Sequence, residues 1–266
     1  MYQPIAPLSP KDTLPTMYDL PSEEVGQSGL PDEFHVLQPQ LLSATFMPSS
    51  YPLEQIFTAS DLNLYYDPRH YLWYKRPDWF AVVGVPSLYE GHELRQSYVL
   101  WQEGVDPLVV VEFLSPGTED EDLGRLAVKT LGAKEQPPFK WEVYERILRV
   151  PYYVVFNSET NQIRAFELVG TRYREMELSE PRLWIEELGL GLGLWQGFWL
   201  KQERPWLRWY DHEGNWVPTP EERERQFAEQ AVQQTEEAQQ RAMQAEQRAE
   251  ILAQRLRELG VNPDDL

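Results

Sequence analysis

The sequence predicts an α/β domain carrying extra β-hairpins toward its C-terminal side, followed by one long coiled-coil-like helix. Three observations lead there. Residues 107–114 and 152–157 are almost continuously apolar, as strands buried on both faces of a sheet are. Between them, Trp141, Tyr144, Ile147 and Leu148 recur at helical spacing within 140–149, and Pro138 just ahead suits a helix start. Beyond Trp216 the composition changes abruptly to Ala, Gln, Glu and Arg.

Taken in order, residues 1–29 hold five prolines and no apolar periodicity, so an extended or disordered arm is expected there. The domain proper is expected over 30–217. It begins with a short helix at 30–45, bent or ended by Pro39. Strands are predicted at 56–66, 78–85 and 98–102, beside the two buried runs. Residues 117–138 read as a polar insert containing Glu119-Asp120-Glu121-Asp122 and Pro137-Pro138. Residues 162–168 and 172–178 alternate apolar and polar around Gly170, a hairpin pattern. Further strands fall at 194–200 and 206–216, the second folded around 211–215. Gly189, Gly191 and Gly193 alternate with leucines, which marks a tightly packed strand and not a nucleotide loop. The tryptophans between 195 and 216 read as core and sheet-face residues.

The segment 218–260 opens on Thr219-Pro220-Glu221-Glu222, a capping box with proline at the first helical position. Ala228, Ala231, Thr235, Ala238, Ala242, Ala245, Ala249, Leu252, Leu256 and Leu259 then recur at alternating steps of three and four. That is a 3.5-residue seam. Gly260 and Pro263 end it, leaving a tail at 261–266. At about 1.5 Å per residue such a helix is about 60 Å long and calls for a partner. The expected partner is a second copy, paired through 228–259, with Leu252, Leu256 and Leu259 as anchors and the alanines as close-packed spacers.

Composition narrows the function. The 266-residue chain has no cysteine, which excludes disulfide scaffolds, thiol nucleophiles and thiolate zinc sites, and fits a reducing compartment; a cytoplasmic location is expected. Its longest apolar runs fall far short of a membrane span, so no membrane association is expected. Met1-Tyr2-Gln3-Pro4 has neither a basic flank nor an apolar stretch, so no secretory signal is expected. The net charge is −19, and residues 1–220 alone hold 32 acidic against 18 basic residues. Proteins that grip nucleic acid through phosphates are usually basic on at least one face, so this acidity disfavours DNA as a partner.

Three residues stand out for their placement. Asp78 follows Pro77 at the start of one apolar strand, and Glu112 lies near the end of another. A carboxylate in such a run is costly unless it is paired or holds a cation. Two carboxylates on adjacent strands can hold Mg²⁺, a hard ion that prefers oxygen ligands. Lys140 opens the following helix, where a lysine can stabilise charge developing on a phosphate. Each has a plainer reading alone: a turn, a structural ion pair, a solvated helix lysine. His35, His70, His92 and His212 are scattered without ligand spacing, so solvated or capping roles are expected. Neither a Gly-x-Ser-x-Gly elbow nor a phosphate-cradling Gly-rich loop is present.

From about 30 to 157 this pattern resembles the PD-(D/E)xK nuclease superfamily and, within it, the restriction-endonuclease-like Uma-two family expanded in cyanobacteria. The resemblance rests on Arg76-Pro77-Asp78, on Glu112-Phe113-Leu114-Ser115-Pro116-Gly117-Thr118, on Lys140-Trp141-Glu142-Val143-Tyr144 and on Val150-Pro151-Tyr152-Tyr153-Val154-Val155. It implies a restriction-endonuclease-like core, a central mixed sheet flanked by helices, with Asp78 and Glu112 as ligands of Mg²⁺ or Mn²⁺. It further implies Lys140 as the catalytic lysine and Glu33, on the first helix, as an extra ligand. Two departures bear on this. Leu114 stands where the superfamily lysine usually follows the glutamate, so the lysine comes from the helix, as the family implies. The insert 119–138 is longer than the family spacing, which leaves Lys129 and Lys134 as alternatives to Lys140. The function implied is Mg²⁺-dependent hydrolysis of DNA phosphodiesters by an endonuclease. The alternative is a catalytically silent nuclease-fold protein acting as an interaction or scaffold module through its C-terminal helix.

Overall fold

The structure, a computed structural model, describes residues 32–115, 119–124 and 136–258. The arm at 1–29, residues 116–118 of the Ser-Pro-x-Thr motif, Lys129, Lys134, Leu259, Gly260 and the tail at 261–266 lie outside the described residues. The chain divides into two units, Met1–Val217 and Pro218–Leu266.

In the first unit, helix α1 (Phe34–Thr45) is followed by β1 (Ile56–Ala59), β2 (Leu64–Tyr65), β3 (Tyr74–Lys75), β4 (Trp79–Val83) and β5 (Tyr98–Val99). One helical turn, α2 (Leu100–Glu103), precedes β6 (Val109–Phe113). Two short helices come next, α3 (Glu119–Asp122) and α4 (Lys140–Glu142), the latter continuing into a π-turn at Val143–Ile147. The remaining strands are β7 (Tyr152–Asn157), β8 (Gln162–Val169), β9 (Arg172–Glu175), β10 (Arg182–Ile185), β11 (Leu190–Trp199) and β12 (Gln202–Tyr210).

Six strands form the main sheet in the order β1-β4-β6-β7-β8-β9. The β6–β7 pair is parallel and every other pair antiparallel, so the sheet is mixed. Every residue of β4 and β6 is buried, as two-faced burial of an apolar run requires. Period-two alternation divides the core between the faces. Trp79, Ala81, Val109, Val111 and Val154 meet α1 and the antiparallel β10-β11-β12 sheet, including Leu192, Trp206, Leu207 and Trp209. Phe80, Val82, Val110, Tyr153 and Val155 face the other way, toward Val143, Tyr144 and Leu148 and the small β3-β2-β5 sheet.

Several boundaries differ from those expected, each for a local reason. α1 starts at Phe34, and Pro39 lies inside it; its missing N–H interrupts one rung without ending the helix, and Pro39 itself is buried. The run 56–66 splits into β1 and β2 in different sheets, with Asp61 at φ 51° between them. Only Tyr98 and Val99 of 98–102 are strand; the chain then coils into α2, which Gly104 closes at φ 74°. The expected helix 140–149 is α-helical for three residues and then widens into the π-turn, Leu148 N–H donating to the Val143 carbonyl. β10 has no counterpart among the expected strands, while β11 (from Leu190) joins the glycine–leucine run expected as a tightly packed strand to the strand expected from 194, with Gly191 and Gly193 packed under side chains. β12 ends at Tyr210, and the turn over 211–215 returns the chain to a single bridge between Tyr210 and Trp216. Trp206 and Trp209 are core residues.

The second unit contains α5 (Pro220–Glu258). Its capping box is formed in full: Thr219 N–H donates to Glu222 Oε2 at 2.8 Å, and Glu222 N–H donates to Thr219 Oγ1 at 3.2 Å. Every residue from Glu224 to Leu252 is exposed. Among the described residues, no helix is long and apolar enough to cross a membrane.

Gly191 provides a test of the packing. A Cβ added there would fall inside the Tyr210 ring, whose hydroxyl is held by donating to the Leu183 carbonyl. Gly191→Ala is expected to destabilise the first unit by about 1–3 kcal/mol, the usual cost of overpacking, measured by urea unfolding followed through tryptophan fluorescence.

Candidate active site

Strand alternation assembles the site. Register pairs Trp79 with Val111, which sets Asp78 and Glu112 beside each other at the next step, both on the sheet face that carries Phe80, Val82 and Val110. The two residues lock the strand ends reciprocally. Asp78 N–H donates to Glu112 Oε2 at 3.2 Å, and Phe113 N–H donates to Asp78 Oδ2 at 2.5 Å.

The helix facing this edge supplies the rest. Lys140 Nζ lies 3.0 Å from Glu112 Oε2 and 3.2 Å from Asp122 Oδ1. One turn on, Tyr144 donates its hydroxyl to Glu112 Oε1 at 2.7 Å. Spacing of four residues puts both groups on one helix face. Glu112, Asp122 and Tyr144 are fully buried, and the Lys140 side chain is 15% exposed. Asp122 is anchored from behind, its carbonyl accepting from Tyr153 at 2.9 Å.

Charge is out of balance here. Two buried carboxylates, Glu112 and Asp122, contact one ammonium, and the half-buried Asp78 lies beside Glu112. Burial pushes the carboxyl of Glu112 up to about 7, with Lys140 opposing and Asp78 adding to the rise. Burial likewise raises Asp78, against the pull of Lys140 and His35. For Lys140 burial acts downward, but Glu112, Asp122 and Asp78 outweigh it and hold the amine well above its ordinary value. Lys140 therefore stays an ammonium.

The structure thus brings Asp78, Glu112 and Lys140 together and leaves Glu33 apart. Glu33 is exposed on a cleft with Asp32, Ser158, Gln202 and Arg204. It precedes the first residue of α1, and the buried side of that helix is taken by Phe34, His35, Gln38, Leu41 and Leu42. His35, in the first turn of α1, hydrogen-bonds to the end of β6. It is buried, contrary to the solvated role expected, with Nε2 at 3.2 Å from the Phe113 carbonyl and Nδ1 at 2.7 Å from Asp32 Oδ1. Both ring nitrogens face acceptors, so the doubly protonated ring fits best. Burial lowers its pKa, but Asp32 and Asp78 together raise it further.

Sequence reading also missed Asp122 and Tyr144 as members. Asp122 ends an acidic run that begins four residues after Ser115, and Tyr144 follows Lys140 at helical spacing; that spacing was the available signal.

The first unit is thus an α/β protein whose mixed sheet carries an acidic pair at the ends of adjacent strands, met by a lysine from α4. The chain belongs to the Uma2 (Uma-two) family, described as "Putative restriction endonuclease", which matches residues 8–207. A crystallised protein from Anabaena variabilis, described as a "putative nuclease belonging to DUF820", is similar over 61% of this chain and 77% of its own, with 10% identity and a TM-score of 0.42. No curated protein matches the chain.

The raised carboxyls make stability depend on pH. A group whose folded pKa exceeds its unfolded value stabilises the fold fully below the unfolded pKa, and that contribution is lost as pH rises through the folded value. In EDTA, the wild type is expected to lose stability relative to Glu112→Gln as pH rises from about 4.5, the ordinary glutamate range, through about 7. Urea unfolding of both proteins across that window measures the difference, and parallel curves would contradict the assignment.

Proposed function

We propose that the chain is a divalent-metal-dependent DNA endonuclease whose site is Asp78, Glu112 and Lys140, with Mg²⁺ or Mn²⁺ as cofactor. Family membership supports the reaction class, and the observation that carries the site is the buried charge imbalance. Asp78, Glu112 and Asp122 outnumber the one ammonium of Lys140, a surplus of acidic groups that a divalent cation would meet. The donors are all oxygens, the type hard cations take. Among the described residues, no three or more His, Cys, Asp or Glu side chains are grouped to hold a metal. In this reading Asp78 and Glu112 would supply the protein ligands, with water and phosphate oxygens completing the shell, as is usual for Mg²⁺.

When bound, such an ion polarises the phosphate and lowers the pKa of a coordinated water. The chain's own groups do the rest. Tyr144 holds one oxygen of Glu112 and leaves the other directed at Lys140 and the backbone N–H of Asp78. Asp78 is aimed by the N–H of Phe113. Lys140, kept protonated by its carboxylate neighbours, is suited to stabilising negative charge on the phosphate and not to removing a proton from water. A cysteine-free chain of this kind suits the cytoplasm.

One observation favours the second reading, a silent nuclease-fold scaffold: the −14 balance of residues 1–220 repels phosphates. Cleavage separates the two. Full-length protein with Mg²⁺ or Mn²⁺ is expected to nick or cut plasmid, linear or single-stranded DNA, while Asp78→Ala and Glu112→Ala abolish the activity. Lys140→Ala is expected to reduce it by about 100-fold or more, the usual loss when one charge-stabilising donor is removed. Identical behaviour of wild type and Glu112→Ala on all three substrates would favour the scaffold.

A further inference from the structure

We infer that α5 pairs with α5 of a second copy as a parallel, in-register coiled coil, and that its flanking residues fix this orientation. Ala228, Thr235, Ala242, Ala249 and Leu256 stand at a, and Ala231, Ala238, Ala245 and Leu252 at d, which fixes the outer and flanking positions. The outermost f position is glutamine in each full heptad: Gln233, Gln240, Gln247 and Gln254. The positions flanking the seam are different. At g stand Phe227, Gln234, Arg241 and Arg248; at e stand Val232, Gln239, Glu246 and Ala253.

Flanking residues choose partner and orientation in coiled coils. In a parallel pair, g of one helix meets e of the next heptad on the other. The pairs are then Phe227 with Val232, Gln234 with Gln239, Arg241 with Glu246, and Arg248 with Ala253. In the first three, apolar meets apolar, amide meets amide and cation meets anion; in the fourth an arginine meets an alanine. No pair opposes like charges. An antiparallel pair of the same overlap sets g against g, so that Arg241 meets an arginine. Charge complementarity therefore selects a second copy of this chain, in parallel.

The structure shows what such pairing would cover. Phe227 is 68% exposed, Val232 58% and Leu252 60%, on a helix of 39 residues. Arg241 reaches only its own Glu237, four residues back, at 3.3 Å and largely in solvent, so it is available to an interchain carboxylate at little cost. The pairing does not depend on the catalytic reading.

The absence of cysteine allows a direct test on the full chain. Light scattering at micromolar concentration is expected to give twice the 31.3 kDa chain mass. Ala231→Cys and Leu252→Cys, near opposite ends of the seam, should each form a disulfide-linked dimer alone on mild oxidation, whereas Gln247→Cys on the outer face should not. Arg241→Glu is expected to weaken the dimer about tenfold, and adding Glu246→Arg to restore it. A monomer by light scattering overturns the proposal and directs the search to a different partner helix. Crosslinking of neither variant alone, but of Ala231→Cys mixed with Leu256→Cys, would show an antiparallel pair and overturn it. So would crosslinking at 247 equal to that at 231.

Discussion

Glu112 is the group on which the arrangement of the first unit turns. Its strand is otherwise apolar and buried on both faces, and a carboxylate there costs several kcal/mol unless its charge is met. Both of its oxygens are engaged: one by Tyr144, the other by Lys140 and the N–H of Asp78. Those contacts tie the end of β6 to β4 and to the helix starting at Lys140. Asp122 joins through the same lysine, and His35 reaches the neighbouring carbonyl of Phe113. Four separate segments are thus oriented about one acid. The fold tolerates that acid because it also supplies an ammonium and a phenol within reach.

The parts legible in the sequence were those governed by short-range pattern. The apolar runs at 109–113 and 152–157 form adjacent parallel strands, and the capping box at Thr219 starts α5. The Asp78–Glu112–Lys140 juxtaposition was legible because strand alternation and helix spacing fix which face each side chain takes. What escaped depended on distant contacts. Asp122 looks like part of a solvated acidic insert until α3 is set against Lys140. His35 looks like an isolated histidine until α1 is laid across β6. Glu33 is two residues away and faces solvent, a difference of helical phase that the motif alone does not specify. The widening at Val143–Ile147 likewise follows from packing.

The acidity of the chain and the demands of a nuclease pull in opposite directions, and the site shows where they meet. A chain at −19 does not attract phosphates over its surface as a whole. The part of the acidity concentrated around Lys140 is of another kind, because it is buried and shielded from salt. In the function proposed above it serves as an oxygen-lined socket for a cation. Filling that socket with a divalent ion would convert a repulsive locus into one that accepts a phosphate.

Titration calorimetry with Mn²⁺ tests this most directly, since it reads the ion and not the substrate. The account predicts one saturable site per chain in the wild type, lost in both Asp78→Asn and Glu112→Gln, above the weak uptake expected of any acidic protein. Equal, unsaturable uptake by all three proteins would contradict it and leave the cluster as a structural ion network.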